Sequence, residues 1–167
     1  MQRHAGVRPI SLIGFSLGAR AIFYALIELA RVKAYGLVQD VFIFGTTVSA
    51  SRQTWLEIRS AVAGRFVNGY ATNDWMLGYL FRATAGGLNT VAGLRPMDGI
   101  PGLENEDVTD LITGHMSYRS CMPLLLSRVG FPVSAEYFDE PEVIQVKKQL
   151  TAGSRCRHVG ARAYHRQ

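Results

Sequence analysis

Apolar and polar positions along this chain follow two rhythms that take turns. "ISLIGF" (10–15) is a short, nearly continuous apolar run, the pattern of a strand buried on both faces. From Leu17 to about Lys33 the chain is rich in alanine and leucine and free of proline. Ala21, Tyr24, Ala25 and Leu29 recur there at helical spacing, and Gly36 supplies a stop. "DVFIFGT" (40–46) is a second buried strand. Thr54 and Glu57 form a capping box that opens a helix running to Gly64. "RFVNGYAT" (65–72) is a third strand, followed by Asn73, Asp74 and a short helix beginning at Trp75. Residues 84–107 are punctuated by glycine and proline. "DVTDLI" (107–112) is a fourth strand, and a helix from Ser117 to Val129 closes at Gly130. One more short amphipathic piece begins at Pro141.

The resulting order is βαβαβαβα. Strands alternating with helices predict an α/β fold with a mostly parallel sheet and helices on both faces. No internal repeat and no second domain interrupt the pattern. Residues 1–150 are expected to form the folded part and residues 151–167 a basic, disordered tail.

Composition changes this picture little. Hydrophobic residues make up 48% of the 167, enough for a core. The net charge of +5 suggests nucleic acid until it is located. Arg155, Arg157, Arg162 and Arg166 lie in the tail without an acid, which leaves 14 basic residues against 13 acidic ones in the rest. A nearly neutral body argues against a nucleic-acid partner. No run of 18 apolar residues exists, and the first residues lack the apolar core of a signal peptide. The two cysteines, Cys121 and Cys156, suit neither a disulfide framework nor a zinc site, so no metal or cofactor is expected and an intracellular setting is the default.

Candidate chemistry begins at Gly14-Phe15-Ser16-Leu17-Gly18. A serine at a tight strand-to-helix turn is the geometry of a nucleophile elbow. Small residues two before and two after it let strand and helix approach, and the Leu17 N–H points toward a developing oxyanion. A βα turn without chemistry has the same local pattern. A nucleophilic serine needs a base. His4 lies at the start and His158 and His165 in the tail, so His115 is the histidine within the folded pattern. An orienting carboxylate follows the third strand at Asp74, though aspartate there also suits a helix cap. Asp98, Asp107 and Asp110 are rivals. Ser16, Asp74 and His115 each follow a strand, and parallel sheets place their sites at the carboxyl ends of strands. Residues 84–107 read equally as a lid or acyl-pocket loop and as a plain surface loop. Trp55, Trp75, Tyr79 and Phe81 are expected in the core.

"RPISLIGFSLGARAIFYAL", "GRFVNGYATNDWMLGYLFR" and "IPGLENEDVTDLITGHMSYR" together resemble one family. They are similar to the C-terminal half of the α/β-hydrolase-like region of the transmembrane and coiled-coil domain-containing protein 4 family, over roughly residues 8–130. The resemblance implies Ser16 as nucleophile, Asp74 as acid and His115 as base. It also implies a membrane-associated longer protein whose membrane segments lie upstream, and leaves its substrate open. The order of Ser16, Asp74 and His115 at strand ends supports an esterase- or lipase-type reaction on a lipid-like ester as the first functional reading. On an α/β-hydrolase sheet the nucleophile follows the fifth strand, whereas here it follows the first. The expectation is therefore a truncated product that lacks the loop supplying a second oxyanion donor, is inactive in isolation, and leaves "ISLIGF" as a bare sheet edge. Two alternatives stand beside the hydrolase reading: a catalytically silent scaffold for protein interaction at membranes, and a non-functional truncated isoform.

Overall fold

The structure is a computed structural model that describes residues 8–85 and 91–134. Four strands, β1 (Ile10–Phe15), β2 (Val38–Phe44), β3 (Phe66–Tyr70) and β4 (Leu103–Asp107), form one sheet in the order β1-β2-β3-β4. Every pairing is parallel. The connecting helices are α1 (Leu17–Arg31), α2 (Arg52–Arg59) and α3 (Trp75–Ala85), with α4 (Ser117–Arg128) after the last strand. A short 3₁₀ turn, Ala92–Leu94, precedes β4. The arrangement is a partial α/β-hydrolase-like fold.

Alternation along β2 puts helices on both faces. Val41 and Ile43 pack with Phe23 and Leu26 of α1 and with Trp55 and Ile58 of α2. Phe42 and Phe44 point the other way, onto Tyr118, Met122 and Leu125 of α4. A strand covered on both faces has no polar side to show, so β2 reads as a continuous apolar run. β1 has the same composition but sits at the sheet edge, with Ile10 and Ile13 exposed. Its bare edge was expected; its burial on both faces was not met.

Several boundaries differ from the sequence reading, those of β4 and α2 with clear causes. The fourth strand is Leu103–Asp107, not 107–112. "LENED" lies at the opposite edge of the sheet, where its side chains are mostly exposed, so no apolar pattern marks it. Val108 and Ile112 are apolar because they are buried in a turn, closed by the Leu111 and Ile112 N–H groups on the Val108 carbonyl. Helix α2 starts after Ser51, and the Thr54 hydroxyl donates to Ser51 Oγ instead of forming a capping box. The same helix stops at Arg59, short of Gly64. The tail, the piece at Pro141, His4, His158, His165, Cys156 and part of the 84–107 segment lie outside the described residues.

The aromatic expectation divides. Trp55 and Phe81 are buried, but Trp75 is 73% exposed and Tyr79 68%. Leu77 and Phe81 form the buried face of α3, and Trp75 and Tyr79, also four apart, lie on its outer face.

Candidate active site

Register aligns the carboxyl ends of the strands. Phe15 pairs with Phe44, Phe44 with Gly69, and Tyr70 with Asp107. Whatever follows each strand therefore emerges at one rim of the sheet.

Ser16 follows β1 and sits at the N-terminus of α1. Its backbone has φ 51° and ψ −119°, a left-handed conformation that costs a non-glycine residue of order 1–3 kcal/mol. The turn is held on both sides. The Ser16 N–H donates to the Phe44 carbonyl, and the Ser16 carbonyl accepts from Arg20 N–H, each at 3.0 Å. The side chain makes no capping bond to the helix, so Oγ is left to face outward. Gly14 is needed for this approach, because a Cβ there would lie 2.8 Å from Ile22 Cδ1 and 2.9 Å from Ala19 N. Gly18 is not, since a Cβ at that position meets nothing among the described residues. Replacing Ser16 with glycine relieves the strain, and the variant is expected to gain about 1 kcal/mol in urea unfolding. An unchanged or lower midpoint would mean that the turn holds no strain.

Asp74 is fully buried and divides its two oxygens. Oδ1 accepts the Leu77 N–H at 3.0 Å in the first turn of α3, while Oδ2 lies 2.7 Å from His115 Nδ1. The helix-cap role and the histidine-orienting role, rivals in the sequence, are met by one side chain. His115 follows the turn after β4 and is 8% exposed. Its Nε2 lies 2.7 Å from Ser16 Oγ. An ionised carboxylate only accepts, so Nδ1 carries the imidazole proton and Nε2 is left as an acceptor for the Ser16 hydroxyl. The structure thus brings Ser16, His115 and Asp74 into one hydrogen-bonded line, 99 and 41 residues apart in sequence.

The rival aspartates have other partners or positions. Asp107 accepts from the Thr109 hydroxyl and N–H, which holds its carboxyl below the usual range. Asp110 forms a two-point pair with Arg128, each bond 2.6 Å, with the same effect on its carboxyl. Asp98 is exposed in the segment before β4.

Several supporting residues lie in the runs that carry the family resemblance but are not singled out there for the site. Asn73 Nδ2 donates to the Ile112 carbonyl at 2.7 Å, tying the Asp74 loop to the His115 loop. Ser117 Oγ accepts from Thr113 and Gly114 N–H and donates to the Gly114 carbonyl, fixing the turn before His115. Tyr118 lies edge-on to the His115 ring and stacks on Phe15. Burial, with the nearby Asp74 charge, pushes its phenol well above the ordinary value.

A cavity of about 720 Å³ opens over Ser16 and His115. Phe15, Leu17, Met76, Phe81 and Met116 make its walls apolar, and Arg20 and Thr47 add the remaining polar groups. Leu17 is 72% exposed and Met116 76%, so the mouth has an apolar rim, which Trp75 continues.

The match to known proteins covers the same residues. A family profile described as a protein of unknown function, DUF726, matches residues 1–132. The chain belongs to the DUF726 family. It is 56% identical over 137 residues to an uncharacterised membrane protein of Schizosaccharomyces pombe, covering 82% of this chain and 18% of that protein. It is 46% identical over 154 residues to a Saccharomyces cerevisiae protein named a probable lipase, covering 89% and 14%. A transmembrane and coiled-coil domain-containing protein of Oryza sativa subsp. japonica is 49% identical over 128 residues, covering 74% and 19%. The chain therefore spans less than a fifth of the length of these relatives. No solved structure matches it. Among the described residues, no helix of this DUF726 chain is long and apolar enough to cross a membrane.

Proposed function

We propose that this DUF726 chain carries the reaction centre of a serine hydrolase acting on lipid-like carboxylic esters. The observation that carries the reading is the line Ser16 Oγ–His115 Nε2–His115 Nδ1–Asp74 Oδ2, with 2.7 Å at both hydrogen bonds, at a strained strand-to-helix turn. Ser16 Oγ attacks the ester carbonyl as its proton passes to His115 Nε2. Asp74 stabilises the imidazolium without taking its proton. The Leu17 N–H has no intrahelical partner in the first turn of α1 and donates to the oxyanion. His115 then protonates the departing alcohol, and water repeats the sequence on the acyl-serine.

The apolar cavity and its exposed rim support a substrate with a hydrocarbon chain. The name of the yeast relative agrees with this chemistry, and the membrane-protein names of others support a longer, membrane-associated protein. The name of the Oryza sativa relative, a transmembrane and coiled-coil domain-containing protein, supports the finer placement beside the transmembrane and coiled-coil domain-containing protein 4 family.

A fluorophosphonate probe tests the reading on the intact protein. Wild type is expected to be labelled covalently at Ser16, and Ser16→Ala to show no labelling. Equal labelling of the two would sink the nucleophile assignment.

A further inference from the structure

The cavity over Ser16 is apolar except on one side. Arg20 lies one turn along α1 from Ser16, is half-buried and lines the cavity. Arg31, Arg65 and Arg128 each pair with a carboxylate. Arg20 pairs with none among the described residues. Its contacts are a long bond from Nη1 to the Thr47 carbonyl, 3.4 Å, and the Tyr24 ring, whose centroid is 5.5 Å from its guanidinium carbon.

Thr47 stands beside it, just beyond β2. The residue is 7% exposed and lines the same cavity, yet its hydroxyl is buried without a hydrogen-bond partner among the described residues. A half-buried cation and a buried hydroxyl that find no counter-ion or partner among the described residues are both unfavourable in an empty site. One ligand satisfies both. An anion with several acceptor oxygens takes two guanidinium N–H groups and the threonine O–H, and the N-terminal field of α1 adds to the attraction.

We propose that Arg20 and Thr47 form an anion subsite within the Ser16 cavity, and that the substrate is an amphiphilic ester with a phosphate close to the scissile bond. This deepens the hydrolase reading and rests on it for the identity of the scissile group. Ser16 and Arg20 are four residues apart, ~6 Å along the helix axis. That separation suits a glycerol unit linking an ester to a phosphate. The hydrocarbon chain then lies along Met76, Phe81 and Met116.

The test measures binding apart from turnover, in the intact protein with Ser16→Ala. Dioctanoyl phosphatidate, dioctanoyl phosphatidylcholine and dioctanoylglycerol, each below its micelle concentration, are titrated by calorimetry. Phosphatidate is expected to bind about 10- to 100-fold more tightly than the neutral diacylglycerol, the effect of charge-assisted hydrogen bonds. Phosphatidylcholine reports whether a phosphodiester is sufficient: binding like phosphatidate supports a phospholipid headgroup, and binding like diacylglycerol restricts the subsite to phosphate monoesters. Adding Arg20→Gln should bring the phosphatidate preference to within about threefold. Arg20→Lys should keep part of it, and Thr47→Val should lower it without removing the cation. These two variants serve if Arg20→Gln does not fold. Equal affinity for phosphatidate and diacylglycerol in the Ser16→Ala protein, or a preference that stays undiminished in the folded Arg20 and Thr47 variants, overturns the subsite.

Turnover by the wild-type protein separates the two readings. Hydrolysis of both esters without phosphate selectivity removes the subsite and leaves the hydrolase. Phosphate-selective binding with no hydrolysis of any ester removes the hydrolase reading and leaves the subsite.

Discussion

Replacing His115 with alanine is expected to lower kcat for a p-nitrophenyl ester roughly a million-fold, with far less change in KM. The serine hydroxyl is a poor nucleophile until its proton has somewhere to go. Among the described residues, His115 Nε2 at 2.7 Å is the acceptor that the geometry provides. Asp74→Asn should cost roughly ten-thousand-fold, by a different route. The asparagine Oδ1 can still accept the Leu77 N–H, so the start of α3 is kept. Its amide, however, presents N–H to His115 Nδ1, which makes that nitrogen the acceptor and leaves the proton on Nε2, facing Ser16. Geometry survives and the tautomer is wrong. The double variant Ser16→Ala/His115→Ala should be no slower than either single one, because the two side chains act as a unit. A His115→Ala protein within about tenfold of wild-type kcat would exclude general-base action by this residue.

Trp55→Ala is expected to destabilise the chain by about 3–5 kcal/mol, read as a lower midpoint in urea unfolding. Trp55 is fully buried between α1 and the sheet, with Phe23 5.1 Å and Phe66 5.7 Å away between ring centroids. Its indole N–H donates to the Ser49 carbonyl at 3.2 Å. Truncation leaves a cavity bounded by three elements and an unpaired carbonyl. Trp75→Ala should change stability by less than about 0.5 kcal/mol, because that indole is 73% exposed. Equal losses from the two substitutions would mean that the burial assigned to Trp55 and the exposure assigned to Trp75 are wrong.

The two tryptophans also mark the limit of pattern reading. Each lies near the start of a helix, Trp55 in the polar stretch "RQTWLEIR" and Trp75 in the more apolar "WMLGYLFRATA", so composition points the wrong way for both. Only the direction in which each helix meets the sheet separates core from rim. The fourth strand shows the same limit. "LENED" is a strand because its backbone pairs with β3 from Phe66–Leu103 to Tyr70–Asp107, although its side chains follow no apolar rhythm. The side chains of β4 mostly escape burial, so this strand escapes the pattern that burial writes into a sequence. Arg20 and Thr47 left no motif either. Their closeness depends on two adjacent parallel strands ending at the same level, a property of register.

The sequence by itself determined the alternation of strands and helices, hence the parallel α/β sheet, and the strand–serine–helix junction at Ser16. Those are local: side-chain periodicity and the close approach at Gly14 act within a few residues. Chain order and position after strands singled out Asp74 and His115 without fixing the aspartate against its rivals. Tertiary structure decided that Asp74, and not Asp98, Asp107 or Asp110, meets the histidine, and that one carboxylate also caps a helix. It decided which aromatics face water and where Arg20, unpaired among the described residues, meets an apolar cavity. The physical reason is that hydrogen bonds and burial are made across the sheet, between residues whose separation in sequence carries no trace of their separation in space.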